Sequence, residues 1–257
     1  MKGVALAIGL VALALAPASA PARPPAAKRS PVVVELFTAQ GCASCGKAGD
    51  RLAELGDRPD TIALTWPVDY WDYLGWNDTF AQPAFADRQR AYERRFGLRD
   101  VYTPQVVVGG EAQVSGDDAA GVRAAIAKLR EARRPPVKIG FGRAGRIEIG
   151  AGPSSGRTAD VWLVRYDPHA RKVEVKAGDN KGATVTDRNV VREVVKLGLW
   201  RGKTAVFKTP AYHPSGSDDG GLEELVLVQG AHGGPILAAR RRPLSSANQA
   251  TASRRDS

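Results

Sequence analysis

The chain has 257 residues, 43% of them hydrophobic and 25% charged, which is ordinary for a folded globular protein. A chain of this size forms one large domain or two modest ones with a sizeable core, so its two cysteines are not needed as structural staples. The formal net charge is +10, with Lys and Arg spread along the whole sequence. Since no aromatic-interleaved basic motif accompanies this charge, we expect a basic, solvated surface and no nucleic-acid partner.

The N-terminus has the pattern of a secretory signal peptide, which we place at residues 1–20. Lys2 precedes an apolar stretch at residues 4–15, and small residues follow, with cleavage expected after Ala18 or Ala20. The apolar stretch is short for a membrane span, so we expect no stable span after cleavage and a periplasmic or secreted location. An uncleaved anchor is the alternative. Residues 21–31 are predicted to be a disordered linker.

Residues 32–134 are predicted to form an α/β domain, because buried-strand and helical patterns alternate there. Strands are predicted at residues 32–37, 61–68, 105–108 and 111–114. We expect the second strand to run parallel to the first, and the last two to pair across the Gly109-Gly110 turn. Helices are predicted at residues 47–55, 82–96 and 119–134, the third capped by Asp117 or Asp118.

Residues 135–243 are predicted to form a β-rich domain, a small sandwich or barrel, because short strand-like runs alternate with Gly, Pro, Asp and Ser. Within it, residues 185–199 fit either a strand or a short helix. This domain would either provide a second binding surface or pack over one face of the first sheet. The Ser-, Ala- and Arg-rich tail at residues 244–257 is predicted to be disordered.

The only two cysteines, Cys42 and Cys45, lie between the first predicted strand and the first predicted helix. A C-x-x-C at such a junction is typical of a redox-active dithiol, because a helix N-terminus favours the thiolate. We expect Cys42 to be the more exposed and acidic thiol and the nucleophile, with Cys45 as the resolving thiol. Export would let the pair persist as a disulfide. A structural disulfide and a metal-binding pair are the alternatives.

Two further segments are predicted to lie beside this pair. Thr103 and Pro104 stand just before the third strand, where a cis-proline loop would face the dithiol and shape a substrate groove. An aromatic segment at residues 69–76 follows the second strand, so its loop should reach the same edge of the sheet. Tyr70 and Trp71 are therefore predicted to form one wall of the groove, with core packing as the alternative.

Several motifs together carry a family resemblance. They lie at residues 35–45, 68–76, 89–92, 102–105, 178–182 and 189–192. These motifs resemble the bacterial secreted family called domain of unknown function 1223, and the similarity runs from about residue 32 to residue 243. The resemblance implies a thioredoxin-like fold for the first domain, followed by the β-rich domain.

Taken together, the sequence predicts an exported thioredoxin-like protein that exchanges disulfides through Cys42 and Cys45, as a thiol–disulfide oxidoreductase. Its partners would be thiols or disulfides of exported proteins, with an unidentified redox partner that recycles the pair. No cofactor beyond the redox-active disulfide and no metal site are expected. The alternative is a non-catalytic binding protein, or a copper carrier that holds Cu(I) through both thiols and one of His169, His213 and His232.

Overall fold

The computed structural model of the protein describes residues 30–132, 137–153, 158–212 and 221–243. The predicted signal peptide, all of the predicted linker except residues 30 and 31, and the predicted C-terminal tail lie outside these residues. In the described ranges, no helix is long and apolar enough to cross a membrane.

The first part of the chain alternates strands and helices. Its elements are β1 (Val32–Thr38), α1 (Cys45–Gly56), β2 (Thr61–Pro67), α2 (Pro83–Phe96), β3 (Gln105–Val108), β4 (Ala112–Ser115) and α3 (Ala119–Glu131). β2 runs parallel to β1, β3 runs antiparallel to β1, and β4 runs antiparallel to β3. Every strand and helix predicted in this part of the sequence is confirmed to within a few residues.

The helix boundaries follow from local chemistry. α2 begins with Pro83 at its first position, where a missing N–H costs nothing, and it ends before Gly97, whose φ of +65° suits only a residue without a side chain. α3 begins after Asp118, whose carboxylate accepts a hydrogen bond of 2.8 Å from the Gly121 N–H. Of the two aspartates predicted to cap α3, Asp118 is therefore the one that does so.

The second part of the chain is built from strands. Its elements are β5 (Ile139–Phe141), β6 (Arg146–Ile149), β7 (Ala159–Asp167), β8 (Arg171–Glu174), β9 (Thr184–Asp187), β10 (Val190–Trp200), β11 (Ala205–Lys208), β12 (Glu223–Gly230) and β13 (Ile236–Arg241). The region that fitted either a strand or a short helix forms two strands, β9 and β10. Runs rich in Val, with β-branched side chains that favour the extended backbone, explain this outcome.

Strands from both parts of the chain share one eight-stranded sheet, in the order β13-β12-β7-β10-β2-β1-β3-β4. The two parts meet where β10 lies parallel to β2, with Val190 opposite Thr65. The strands of the second part thus extend the edge of the first sheet. The division into two domains at residue 134 stays a prediction, and so does the sandwich or barrel form of the second part.

The sheet is covered differently on its two faces. Alternate residues of β1 point to opposite faces, so Val34 packs under α1 and α3 while Phe37 packs under α2. On the α2 side, one apolar cluster continues across β2, β7 and β12. On the other side, a three-stranded sheet of order β11-β6-β5 packs over β7, β12 and β13, and Ile147 and Trp200 are fully buried between them. The molecule is therefore a mixed α/β structure around a large, mostly antiparallel sheet.

A buried polar network ties β1, α2 and β12 together. Glu35 is fully buried and accepts hydrogen bonds from Arg88 Nε at 2.7 Å and from the Tyr92 hydroxyl at 2.5 Å. Gln229 of β12 accepts from Arg88 and donates to Tyr92. The Arg88 guanidinium also stacks 4.9 Å from the centre of the Trp66 ring. Both charges are thus paired and hydrogen-bonded, as buried charges must be.

Replacing Arg88 with Met should destabilise the fold by about 3–5 kcal/mol, because the Glu35 carboxylate would be left buried without a partner. The free energy of urea-induced unfolding measures this loss. Arg90→Met, on the same helix, is the matched control: its ion pair with Asp87 is exposed, so the loss should stay below about 1 kcal/mol. Equal losses for the two variants would show that the network contributes nothing.

Candidate functional site

Cys42 and Cys45 form a disulfide in the loop between β1 and α1. The N–H of Cys42 donates to the carbonyl of Ala39, and the N–H of Cys45 donates to the carbonyl of Cys42, so successive turns lead into the helix. α1 begins at Cys45, with Ser44 in the capping position. The predicted C-x-x-C at a strand–helix junction is confirmed, and it is Cys45 whose sulfur lies in the first turn of the helix.

Both cysteines are buried, each with 2% of its surface exposed. The expectation that Cys42 would be the more exposed of the two is therefore wrong for this disulfide form. Position before a helix is a local feature, whereas exposure depends on what packs over the loop. Here the cover comes from a distant part of the chain.

The distant segment that contacts the disulfide loop is residues 175–183, between β8 and β9, which we call the strap. The side-chain amide of Asn180 donates hydrogen bonds of 2.8 Å to the carbonyls of Gln40 and Cys42. Gly178 lies so close to the disulfide loop that a Cβ there would be 3.7 Å from the Cα of Gly41. Asn180 was not among the predicted site residues; the only signal for it in the sequence was the motif at residues 178–182.

Gln40, two residues before Cys42, connects the disulfide loop to the aromatic segment. Its side-chain oxygen accepts from Trp76 Nε1 at 3.0 Å and from the Thr79 N–H at 3.1 Å. Its backbone N–H donates to the Asp78 carboxylate at 2.7 Å. The aromatic segment is thus held against the disulfide loop by polar contacts as well as by apolar packing.

Two buried carboxyl groups lie beside Gln40. Burial raises the pKa of Asp187, at the end of β9, to about 7, with a further rise from the nearby Asp78 and an opposing effect of the Gln40 amide. Burial likewise raises the pKa of Asp78 to about 6, against the lowering effect of the backbone N–H groups of Gln40 and Phe80. Because the two carboxyl groups repel each other when ionised, they titrate as a coupled pair.

The predicted groove residues lie in two places, Tyr70 and Trp71 against the cluster of the cysteines and Pro104 beside α1. Tyr70 and Trp71 are half-buried and pack against the apolar cluster that contains both cysteines. The Thr103–Pro104 peptide bond is cis, as predicted. Pro104 lies beside the first turns of α1, because a Cβ on Gly116 would be 2.7 Å from the Cβ of Pro104 and 3.0 Å from that of Ala48.

Three polar atoms of these residues have no hydrogen-bond partner within the described part of the chain. They are the Tyr70 hydroxyl, Trp71 Nε1 and Thr103 Oγ1, and all three are buried. Buried polar groups of native proteins are nearly always satisfied, so an unpartnered one calls for an explanation. On the aromatic segment itself, Tyr73 is 80% exposed. The segment therefore presents a large ring to solvent next to the strap.

Two of the three histidines considered for a copper site lie in turns of the second part of the chain. His169 bonds to Asp167 in the turn after β7, and His232 lies in the turn between β12 and β13. His213 falls outside the described residues. Over the described ranges, no three or more His, Cys, Asp or Glu side chains are arranged to hold a metal ion.

A separate groove of about 390 Å³ lies between α1 and α3. Its floor is apolar, with Leu52 and Val106 among its residues, and Arg51, Arg58 and Arg123 lie at its rim. Neither cysteine and no residue of the strap lines it. The groove is therefore distinct from the disulfide site.

Fold and site define a mixed α/β protein whose large sheet carries a buried C-x-x-C disulfide at a strand–helix junction. The chain belongs to the family described as protein of unknown function DUF1223, whose profile matches residues 33–229. This confirms the family suggested by the sequence motifs. No curated protein matches the chain.

Two solved structures are similar to this one. Protein AGR_C_4864 from Agrobacterium tumefaciens is 32% identical in sequence with a TM-score of 0.66, and the match covers 85% of this chain and 99% of that one. HBP35 of Porphyromonas gingivalis is 14% identical with a TM-score of 0.57, over 86% of this chain and 77% of that one. The first likeness extends to sequence, and the second is a likeness of fold alone.

Stability should fall as the pH rises from about 4 to about 7, because Asp187 binds its proton more tightly in the folded protein, where its pKa is about 7, than at its ordinary value of 3.8. Its contribution is fully present below pH ~4 and is lost as the pH rises through ~7. Asp187→Asn should remove much of this slope and stabilise the protein at pH 8 by up to about 4 kcal/mol.

Urea unfolding measured from pH 4 to pH 8 tests this dependence. Asp87→Asn, which removes a carboxylate 74% exposed on α2, is the control for the change of charge and should keep the slope of the parent. A parent protein whose stability is flat across this range, or a slope that Asp187→Asn leaves intact, would contradict the expectation.

Proposed function

We propose that this protein is exported and that it exchanges disulfides with exported protein thiols through Cys42 and Cys45, with its first part acting as a thioredoxin-like domain. The observation that carries the proposal is the disulfide itself, placed between the end of a central strand and the first turn of a helix. The order β1-α1-β2-α2-β3-β4-α3, with a parallel β1–β2 pair and helices on both faces, supports a thioredoxin-like domain.

The exchange needs no other cofactor. An incoming thiolate attacks one sulfur of the Cys42–Cys45 disulfide, which breaks the S–S bond, forms a mixed disulfide and releases the other cysteine as a thiolate. A second thiol of the partner then attacks the partner's sulfur in the mixed disulfide, which forms a disulfide in the partner and releases the second cysteine, so that the Cys42–Cys45 pair is left reduced. Solvent takes up and supplies the protons, and the reverse sequence, begun by a cysteine thiolate attacking a partner's disulfide, reduces that partner. The first-turn N–H groups of α1 and its dipole favour the thiolate released next to them.

Substrate would lie along the predicted groove. Thr103 and Pro104 lie beside the first turns of α1, and Tyr70 and Trp71 pack against the same core as the cysteines. The unpartnered Trp71 Nε1 and Thr103 Oγ1 atoms are two groups that the carbonyls of an extended peptide could satisfy. Export is supported by the N-terminal signal pattern and by the disulfide, which persists in oxidising compartments.

The burial of the disulfide favours a second candidate, a non-catalytic binding protein in which the disulfide is structural and only holds the loop in its conformation. Structural disulfides resist reduction, whereas exchanging ones are reduced at higher potentials. The two candidates therefore differ in a measurable quantity, the reduction potential of the Cys42–Cys45 pair.

The disulfide should titrate as a reversible two-electron couple between about −120 and −300 mV in a redox buffer. Cys45→Ser, with Cys42 left free to attack, should accumulate mixed disulfides with a protein disulfide such as insulin, while Cys42→Ser should not. Mass spectrometry of the non-reduced protein measures both. Ala43→Ser, which adds a hydroxyl to the same loop and keeps both thiols, is the matched control and should behave as the parent.

A pair that is reduced only after the protein unfolds, together with no trapped mixed disulfide in either serine variant, would favour the structural role. Trapping by Cys42→Ser in place of Cys45→Ser would exchange the roles of the two cysteines and leave the exchange reaction standing.

A further inference from the structure

We propose that Asn180 is a positioning residue of the disulfide site, and that the strap it anchors must open before a thiol can reach Cys42 and Cys45. This inference rests on the proposed exchange reaction for its biological meaning, although its test does not. It gives the second part of the chain a role that the sequence left open: control of access to a disulfide carried by the first part.

Asn180 is placed to hold the disulfide loop itself. One side-chain nitrogen donates to two carbonyls, those of Gln40 and Cys42, at 2.8 Å each. The Cys42 carbonyl is also the acceptor for the N–H of Cys45, so Asn180 binds the turn that joins the two cysteines. The Asn180 amide is hydrogen-bonded to the backbone that carries the disulfide. Loss of these hydrogen bonds would therefore change the conformation of the loop that holds both cysteines.

The strap contacts two segments of the site, the disulfide loop and the aromatic segment. Gly178 lies against Gly41 on one side and against Leu74 of the aromatic segment on the other, where a Cβ would be 3.8 Å from the Leu74 Cβ. Gly75 of the same segment lies near Ala177, because a Cβ on Gly75 would be 3.9 Å from the Ala177 Cβ. The strap therefore bridges the disulfide loop and the aromatic segment, and it adds to the enclosure of two cysteines that already lie in an apolar cluster and are each 2% exposed.

The strap is also built so that it can move as a unit. Hydrogen bonds at its base, from the Gly182 N–H to the Val175 carbonyl and from the Val175 N–H to the Ala183 carbonyl, close it into a compact loop. Gly178 and Gly182 have φ of +76° and +84°, which only glycine adopts readily. Asp179 and Lys181, on either side of Asn180, are exposed. Val175 at the base of the strap is fully buried, whereas residues 176–183 are half-buried or exposed. Loops with few buried apolar contacts open at low free energy.

By contrast, the two elements that carry the disulfide are fixed. β1 is hydrogen-bonded on both sides in the sheet, and α1 packs on β1 and β2 through Ala48 and Leu52. Releasing either would unfold the core. The strap and the aromatic segment both contact the disulfide loop from outside the sheet, and the strap is the one that hydrogen-bonds to the Cys42 carbonyl, within the turn that joins the two cysteines.

The rate of reduction by dithiothreitol tests this role. In that reaction a thiolate of the reagent attacks one protein sulfur, and its second thiol then closes to the cyclic disulfide, so that two electrons and two protons pass to the protein cysteines. Asn180→Asp removes the donor at constant shape, and Asn180→Ala removes it without adding charge. Both should raise the rate at least about tenfold, the effect of losing one or two hydrogen bonds.

Lys181→Gln is the matched control, since it makes the same change of net charge as Asn180→Asp on the adjacent exposed side chain, and it should react as the parent does. In concentrated urea all variants should react at one common rate. A second comparison removes global stability as the cause: the parent, in a urea concentration that lowers its stability to that of Asn180→Asp, should still react more slowly than the variant.

Equal rates of reduction for the parent and both Asn180 variants would overturn the proposal. A parent disulfide that is reduced as fast in the folded as in the unfolded protein would also overturn it. So would a parent that is reduced as fast as Asn180→Asp once the two have equal stability. Faster reduction of the Asn180 variants, with no trapping of mixed disulfides by either Cys42→Ser or Cys45→Ser, would support the role of the strap and reject the exchange function. The two ideas therefore fail by different measurements.

Discussion

Thr65 makes the hydrogen bonds on which the arrangement of the two parts of the chain depends. Its N–H donates to the carbonyl of Asn189 at 2.9 Å, and its hydroxyl donates to the carbonyl of Arg188 at 2.6 Å. These bonds align β10 with β2, and β9 ends at Asp187, immediately before the joined residues. The hairpin of β8 and β9 is thereby held next to α1, and the strap at its tip lies over the disulfide loop. The contact between β10 and β2 therefore also fixes where the strap lies relative to the disulfide loop.

Buried polar groups also connect the two parts of the chain, and their desolvation costs free energy that apolar side chains in the same places would not. Replacing a buried ion pair by apolar residues is often neutral or stabilising, so the network of Glu35 and Arg88 is poorly explained by stability alone. Its last partner, Gln229, comes from β12, and all of its hydrogen bonds form only if β12 lies in one place relative to α2. Asp187 of β9 likewise lies near Gln40 and Asp78 of the first part, which both influence its pKa. Both sets of contacts specify how the two parts fit together.

The sequence predicts local features of this structure well and long-range ones poorly. β1, β2 and α2 follow from apolar periodicity, and the caps at Asp118 and Gly97 follow from side-chain and backbone chemistry within one turn. The C-x-x-C and its place at a strand end are equally local. The contact of Asn180 with Cys42 spans 138 positions, and no periodicity or turn signal encodes such a pairing. The continuous sheet escaped prediction for the same reason, because strand-like runs do not reveal which strands they will join.

The burial of the disulfide and its proposed reactivity are compatible only if the cover is movable. A disulfide is neutral, so enclosing it in an apolar core carries little penalty, whereas an unsolvated thiolate among buried groups is strongly disfavoured. Here the neighbours include Asp78 and Asp187, whose raised pKa values show how little this site favours negative charge. The enclosed arrangement therefore suits the oxidised form, and an attacking or leaving thiolate needs access to water. β1 and α1 are locked into the sheet, so under the proposed role of Asn180 that access comes from the strap, and the second part of the chain would set how fast the first part reacts.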